Sequence, residues 1–387
     1  ASIGIWAPVL LLLCKLAQGF SVGGEYTGAA VFVAEFAPDR RRGFLSSWLD
    51  FGSIIGFVSG AGVVVLLSSI VGEEQFLEWG WRVPFFLAAP LGLIGLYLRH
   101  AAEETPAFTE QLERMEKEDQ DAVGSAPRIS FKEIVSKYWR SLLVCVGIVL
   151  VTNVTYYMLL TYMPTYLSHN LHYSEDHGVL IIIVVMVGML FVQPFVGMAS
   201  DRIGRRPFIA AGSLGLLVAA IPAFHLITSG NTGWIFVGLL LLAVLLNCLI
   251  GVMASTLPAM FPTRVRYSAL ASAFNISVII AGVTPTLAAW LVETTGDLMM
   301  PAYYLMVVAA IGLVTAYFMH ETANKPMRGD TPNAGSRREA RELLQEQYDH
   351  IEASVDGLDV EINDMQDKLA DLERRKQALI DRHPDLV

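Results

Sequence analysis

From Gly178 to Thr228 the chain reads GVLIIIVVMVGMLFVQPFVGMASDRIGRRPFIAAGSLGLLVAAIPAFHLIT. Two apolar runs, 178–199 and 207–228, flank a turn that carries Asp201, Arg202, Arg205 and Arg206. Each run matches the roughly 20 residues that a helix needs to cross the hydrocarbon core of a bilayer. Neither alternates apolar with polar residues, which excludes the strand pattern of a membrane barrel. Without water, the backbone groups of such runs must bond to one another as helices. The stretch is two membrane helices joined by a short polar turn.

The same pattern extends in both directions. Apolar runs at 7–34, 44–71, 83–99, 141–164, 234–257, 268–293 and 301–319 bring the expected spans to nine. Composition agrees: 54% of residues are hydrophobic and 17% charged, against about 25% charged in soluble domains. Basic residues sit in alternate loops: at Arg40, Arg41 and Arg42, from Arg99 to Arg140, at Arg202, Arg205 and Arg206, and at Arg264 and Arg266. The intervening loops at 72–82, 165–177, 229–233 and 294–300 hold only Arg82. Positive residues stay on the cytoplasmic side, so the basic loops and the C-terminus are expected there. Nine spans would put residue 1 on the opposite side, and the chain opens on Ala1 with no export signal. We therefore expect about three helices to precede it.

The net charge of -10 argues against nucleic acid as a partner. Its acidic residues gather in the central loop and the tail, as solvated helical surface would. Cys14, Cys145 and Cys248 fall singly inside apolar runs and read as small buried hydrophobes, with no metal-ligand spacing. No phosphate-binding glycine loop is present, and no metal or cofactor is expected. No serine–histidine–acid or paired-carboxylate constellation supports an enzyme.

The polar stretch 100–140 divides a partial N-terminal half of three helices (1–99) from a six-helix C-terminal half (141–319). A linker with Pro326, Gly329, Pro332 and Gly335 (320–336) leads to a separate element, 337–387. Phe36-Ala37-Pro38-Asp39-Arg40-Arg41-Arg42 in the first half pairs with Phe261-Pro262-Thr263-Arg264-Val265-Arg266 in the second. Secondary transporters are commonly built from such repeats.

The turn Gly197-Met198-Ala199-Ser200-Asp201-Arg202-Ile203-Gly204-Arg205-Arg206-Pro207 resembles the G-x-x-x-D-R-x-G-R-R/K loop of the major facilitator superfamily. Lys15 to Tyr26, Ala34-Glu35-Phe36-Ala37-Pro38 and the run from Asn153 to Pro164 are similar to the metabolite:proton symporters within it, and in particular to their osmoprotectant carriers. The resemblance implies an all-α bundle of two six-helix halves that moves a small zwitterionic solute, such as proline or glycine betaine, together with protons. It also implies a cytoplasmic gate at the arginine turns, formed here by Arg40, Arg42, Asp201, Arg202, Gly204, Arg205, Arg206, Arg264 and Arg266. Lys15 stands where related sugar carriers often have Arg.

Within the spans, charged residues are costly and mark function. Lys15 and Glu25 are the two clear cases, with Gln18 sharing a face with Glu25. At 1.5 Å per residue Lys15 and Glu25 lie about 15 Å apart, too far to pair. Glu35 is placed to brace the arginine turn, while Asp50 opens the next span and reads either way. A quaternary ammonium has no proton to donate and is best held by aromatic faces. Tyr156, Tyr157 and Trp290 could supply them, though Trp290 also suits an interfacial anchor. Asn153, Asn247 and Asn275 could hold a carboxylate or merely join helices. The competing readings are a membrane-anchored osmosensor without flux and an inactive fragment; uptake of labelled solute separates either from a carrier.

In the tail, Leu344, Ile351, Leu358, Met365, Leu372 and Leu379 recur every seven residues, and Tyr348, Val355, Ile362 and Leu369 form the alternate set. That is a coiled-coil seam, and it predicts a homodimer with strand direction open. A peptide of residues 337–387 should be helical with concentration-dependent circular dichroism. Leu358→Lys puts an unpaired charge in the seam, at a cost of several kcal/mol, and should leave the peptide largely unfolded. A wild-type peptide that stays monomeric and disordered at high concentration would remove the dimer.

Overall fold

The computed structural model describes residues 4, 6–101, 131–171, 175–327, 341, 342 and 345, with the side chains of 7–9, 11–13, 15–22, 73, 98–101, 131–134 and 175–177 outside that description. The chain divides into two units, 1–331 and 332–387. Nearly all of the second unit, including every proposed seam residue, lies outside the described residues.

Every regular element among the described residues of the first unit is helical, because apolar runs of this length leave the backbone no other bonding partner in lipid. Helix α1 spans Trp6–Phe36 and its 31 residues reach about 46 Å. It is followed by α2 (Arg42–Val71), a short α3 (Glu73–Glu78) and α4 (Val83–Ala101). The second half runs α5 (Phe131–Tyr156), α6 (Glu175–Ile203), α7 (Arg205–Ile227), α8 (Thr232–Ala259), α9 (Thr263–Gly282), α10 (Thr284–Thr295) and α11 (Met300–Phe318). Among the described residues, eight segments are long and apolar enough to cross a membrane, and they coincide with the second to ninth expected spans. The protein is a multi-pass membrane protein.

Two spans differ in detail from expectation, each beside a proline. The span expected at 141–164 continues to Asn170 through π-helical turns at Tyr157–Tyr162 and Tyr166–Asn170. Pro164 has no N–H to donate to the fourth residue back, and the helix accommodates it by widening. The span expected at 268–293 is two helices meeting at Val283, since Pro285 likewise interrupts the ladder. The helix α5 also begins at Phe131, ahead of the span edge, with a kink at Tyr138.

Most of the apolar core lies in the second half, where α7 packs between α8 and α11, and α5 packs on α9. The first half lays α1 along α9, and α2 across α6 and α8. On α2 the buried residues are Arg42, Gly43, Ser46, Ser47, Asp50 and Ile54, so it is its arginine end that meets the second half. There α2 and α6 approach through facing glycines. A Cβ on Gly43 would lie 2.6 Å from Asp201 Oδ1 and 2.7 Å from Gly197 O; one on Gly197 would lie 2.7 Å from Gly43 O. The obstacles include backbone, which no rotamer change relieves.

Gly43→Ala should therefore separate α2 from α6 and destabilise the detergent-solubilised protein by ~1–3 kcal/mol, as overpacking does. Thermal unfolding followed by intrinsic fluorescence reads this directly. An unchanged midpoint would mean the glycine contact does not hold the halves together.

Candidate functional site

At the arginine end, Asp201 near the end of α6 sits against the start of α2. Its Oδ1 accepts from the Gly43 N–H at 2.7 Å and its Oδ2 from the Phe44 N–H at 2.9 Å. The first amides of a helix have no intrahelical acceptor and carry partial positive charge. A carboxylate from the other half satisfies both at once.

Three arginines in the basic turns are each 1% exposed or less. Arg42 pairs with Asp39 and donates to Ala34 O and Lys325 O, each at 3.0 Å. Arg266 on α9 pairs with Glu35 on α1 at 2.5 Å and donates to Phe261 O. Arg205 donates through Nη1 to Ser255 O and to Thr322 O and Oγ1; its Nε and Nη2 have no hydrogen-bond partner among the described residues. Buried guanidinium groups persist only where carboxylates and carbonyls offset their lost hydration, and both halves contribute those acceptors.

A second carboxylate repeats the arrangement. Glu321, just past α11, accepts from the N–H of Arg205 and of Arg206 at the start of α7, and from those of Thr322 and Ala323. Gly204 precedes that helix at φ +108°, and a Cβ there would lie 2.6 Å from Glu321 Oε2. Burial alone would raise the Glu321 pKa, but the four amides hold it below the usual carboxylate range.

Deeper in the membrane, the two halves meet around Asp50 of α2, which is 5% exposed. Tyr26 of α1 donates to its Oδ1 at 3.0 Å. The Tyr26 ring stacks on Phe274 of α9 at 4.7 Å. Phe57 of α2 meets Tyr156 of α5 edge-on at 5.7 Å, and Tyr156 meets Tyr157 at 6.1 Å. An ionisable carboxyl thus lies at a seam between halves, among aromatic rings contributed by both.

The other residues nominated from sequence are dispersed. Glu25 is on the exposed face of α1, and Lys15 and Gln18 lie on the same helix with side chains outside the described residues. Asn247 donates to Met189 O and so joins α8 to α6, the simpler of its two readings. Asn153 and Asn275 donate to carbonyls of their own helices, and Asn275 presses against Gly23, where a Cβ would overlap it. Trp290 is 57% exposed, as an anchor would be. Arg202 and Arg264 are exposed and Arg40 is half-buried. The participants that sequence reasoning left out are Tyr26, Phe57, Phe274, Glu321 and Thr322. Asp50 carried only an ambiguous signal, an acid near the start of an apolar run.

The family described as Sugar (and other) transporter matches residues 1–329. The chain belongs to that family. The transporter's residues 335–386 match a second family, the Osmosensory transporter coiled coil. It is 67% identical over 384 residues to the proline/betaine transporter of Salmonella typhimurium, covering 99% of this chain and 75% of that one. It is 64% identical over 382 residues to the glycine betaine/proline/ectoine/pipecolic acid transporter OusA of Dickeya dadantii, with the same coverage. Among solved structures, the proton:xylose symporter XylE of the major facilitator superfamily aligns with TM-score 0.59 at 20% identity, covering 77% of this chain and 68% of that one. The transporter therefore has the major facilitator fold, with a coiled-coil family at its C-terminus; it is not an enzyme.

Glu321→Ala strips four amides of their acceptor and should lower stability by ~1–3 kcal/mol. Because the folded pKa is depressed, the Glu321 contribution is full above the ordinary carboxylate range and is lost as pH falls through the folded value. Wild type and Glu321→Gln should thus differ in thermal midpoint at neutral pH and converge in acid. A difference independent of pH would assign the effect to packing alone.

Proposed function

We propose that the protein is a secondary carrier that brings a small zwitterionic osmolyte, proline or glycine betaine, across the bacterial inner membrane together with protons. The basic loops and the tail face the cytoplasm, where the tail pairs with that of a second copy and adjusts transport to osmolality. The two relatives above are named for proline, betaine, ectoine and pipecolic acid, all small solutes, and the tail family is named for osmosensing.

The observation that carries the proton-coupled part is Asp50. An ionisable carboxyl within a span is a candidate proton carrier, and one held between two halves meets a different environment in each of their arrangements, so it takes a proton in one and yields it in the other. Tyr26 holds the carboxyl in place through its hydroxyl. The rings of Phe57, Tyr156 and Phe274 offer faces to a cation, and the positive end of either solute suits them. Glycine betaine depends on such faces more than proline does, because its quaternary ammonium has no N–H. Glu25, Lys15 and Gln18 on α1 remain candidates to line the same path. The arginine-end network serves as the cytoplasmic gate, with Asp201 as its latch: rocking the halves apart at that end requires the carboxylate to leave the amides of α2.

Asp50→Asn in the full protein should abolish accumulation of labelled proline against its gradient while leaving solute exchange measurable, since exchange needs no net proton movement. Normal accumulation at normal expression would remove Asp50 from coupling, and Glu25→Gln run in parallel tests the acid on α1. Replacing Tyr156 by Leu should weaken glycine betaine by ~1–2 kcal/mol, about ten-fold, and proline by less. Equal losses for the two solutes would indicate packing damage instead.

A further inference from the structure

After α11 the chain does not leave the bundle. Met319 is extended, at φ -71° and ψ 132°, and the residues that follow are tied one after another to different helices. Glu321 accepts from the amides of α7. Thr322 receives the Arg205 guanidinium on both its carbonyl and its hydroxyl, at 3.2 and 3.0 Å. Asn324, at φ +55°, turns the chain and donates from Nδ2 to Asp201 O at 2.8 Å; asparagine is among the few side-chain-bearing residues that adopt that region readily. The carbonyl of Lys325 accepts from Arg42 at 3.0 Å. Met327, 4% exposed, closes a small apolar cluster with Ala34 of α1 and Ala259 of α8.

The segment 319–327 is covalently part of the second half, yet Arg42 and Ala34 belong to the first. It spans the arginine end at the Asp201 latch and bonds to the latch residue itself. Opening that end must break the Arg42–Lys325 bond and pull Ala34 from Met327. The coiled-coil match begins at residue 335, eight residues along the chain from the end of this segment.

We infer that residues 319–327 form a strap that couples the tail to the gate: docked, it holds the arginine end closed, and a change in the tail releases it. The inference rests on the transport reading above. Contacts of this kind suit a switch, because they bias a two-state equilibrium without touching the solute path. Asn324 acts as a positioning residue, fixing the strap on the Asp201 carbonyl.

The test uses the full protein in proteoliposomes, with labelled proline uptake measured against osmolality. Asn324→Gly keeps the backbone turn and removes only the side-chain bond. It should lower the osmolality of half-maximal uptake and preserve uptake at saturating osmolality. Leu358→Lys should shift the same midpoint, and a short Gly-Ser spacer inserted after Met327 should erase that shift. An unmoved midpoint in Asn324→Gly, no shift from Leu358→Lys, or a shift that survives the spacer overturns the strap. A readout independent of flux is alkylation of a cysteine placed at Ala34, which the strap covers. Its labelling should be slow in the otherwise wild-type protein and roughly five-fold faster with Asn324→Gly, the change that one lost hydrogen bond produces. Equal labelling overturns the strap even if uptake is seen. Absence of proline uptake at every osmolality, with the labelling difference present, instead overturns the transport reading and leaves the strap supported.

Discussion

The bond from Asp201 to the first amides of α2 is the constraint on which the arrangement of the halves depends. A helix beginning inside a bundle leaves N–H groups without acceptors, and in a membrane protein water does not reach them easily. Asp201 supplies both acceptors from the opposite half, and the facing glycines at 43 and 197 allow the backbones close enough for it to do so. The buried Arg42 and Arg266 follow from the same geometry, since each has one acceptor, Lys325 O and Glu35, that only the docked halves bring near, whereas Arg205 takes its acceptors from the second half alone. The cluster is thus interdependent: removing one acid leaves a cation buried without compensation.

Asp201 and Glu321 do the same chemistry at two places. Each carboxylate accepts from consecutive amides at the start of a helix that begins in an arginine turn, α2 in one case and α7 in the other. The first bond ties the halves to one another. The second ties the segment after the last helix to the second half, which lets that segment reach Arg42 and Ala34 across the boundary. A bundle that rocks needs firm joints within each half and breakable ones between them. Polar contacts at the boundary, few and specific, fit that requirement better than broad apolar packing, which would hold the halves in one arrangement.

Around Asp50 the balance differs. The groups are fewer and the rings of Tyr26, Phe274, Phe57 and Tyr156 dominate. Charge is expensive at this depth, so a titratable group persists there only with a donor such as Tyr26 beside it. Aromatic faces add attraction for a cation without adding formal charge.

Much of this was legible in the residues alone. Span positions, the arginine turns and the seven-residue spacing of the tail are one-dimensional properties: each depends on the order and period of apolar and charged residues. The place of Asp201 was readable too, because its turn pattern is specific. Lys15 and Glu25 stood out by charge within an apolar run, whereas Asp50 was ambiguous because it lies near the end of its run. Tyr26, Phe274 and Asn324 carried no signal, since a tyrosine, a phenylalanine or an asparagine in a membrane chain is ordinary until its neighbour is known. Periodicity fixes which segments become helices and which end of each is basic. Only the packing of α1 and α2 onto α6, α8 and α9 decides which carboxyl is enclosed, which ring faces it, and that the chain after α11 crosses the boundary, because those contacts join residues far apart in sequence whose meeting no local pattern encodes.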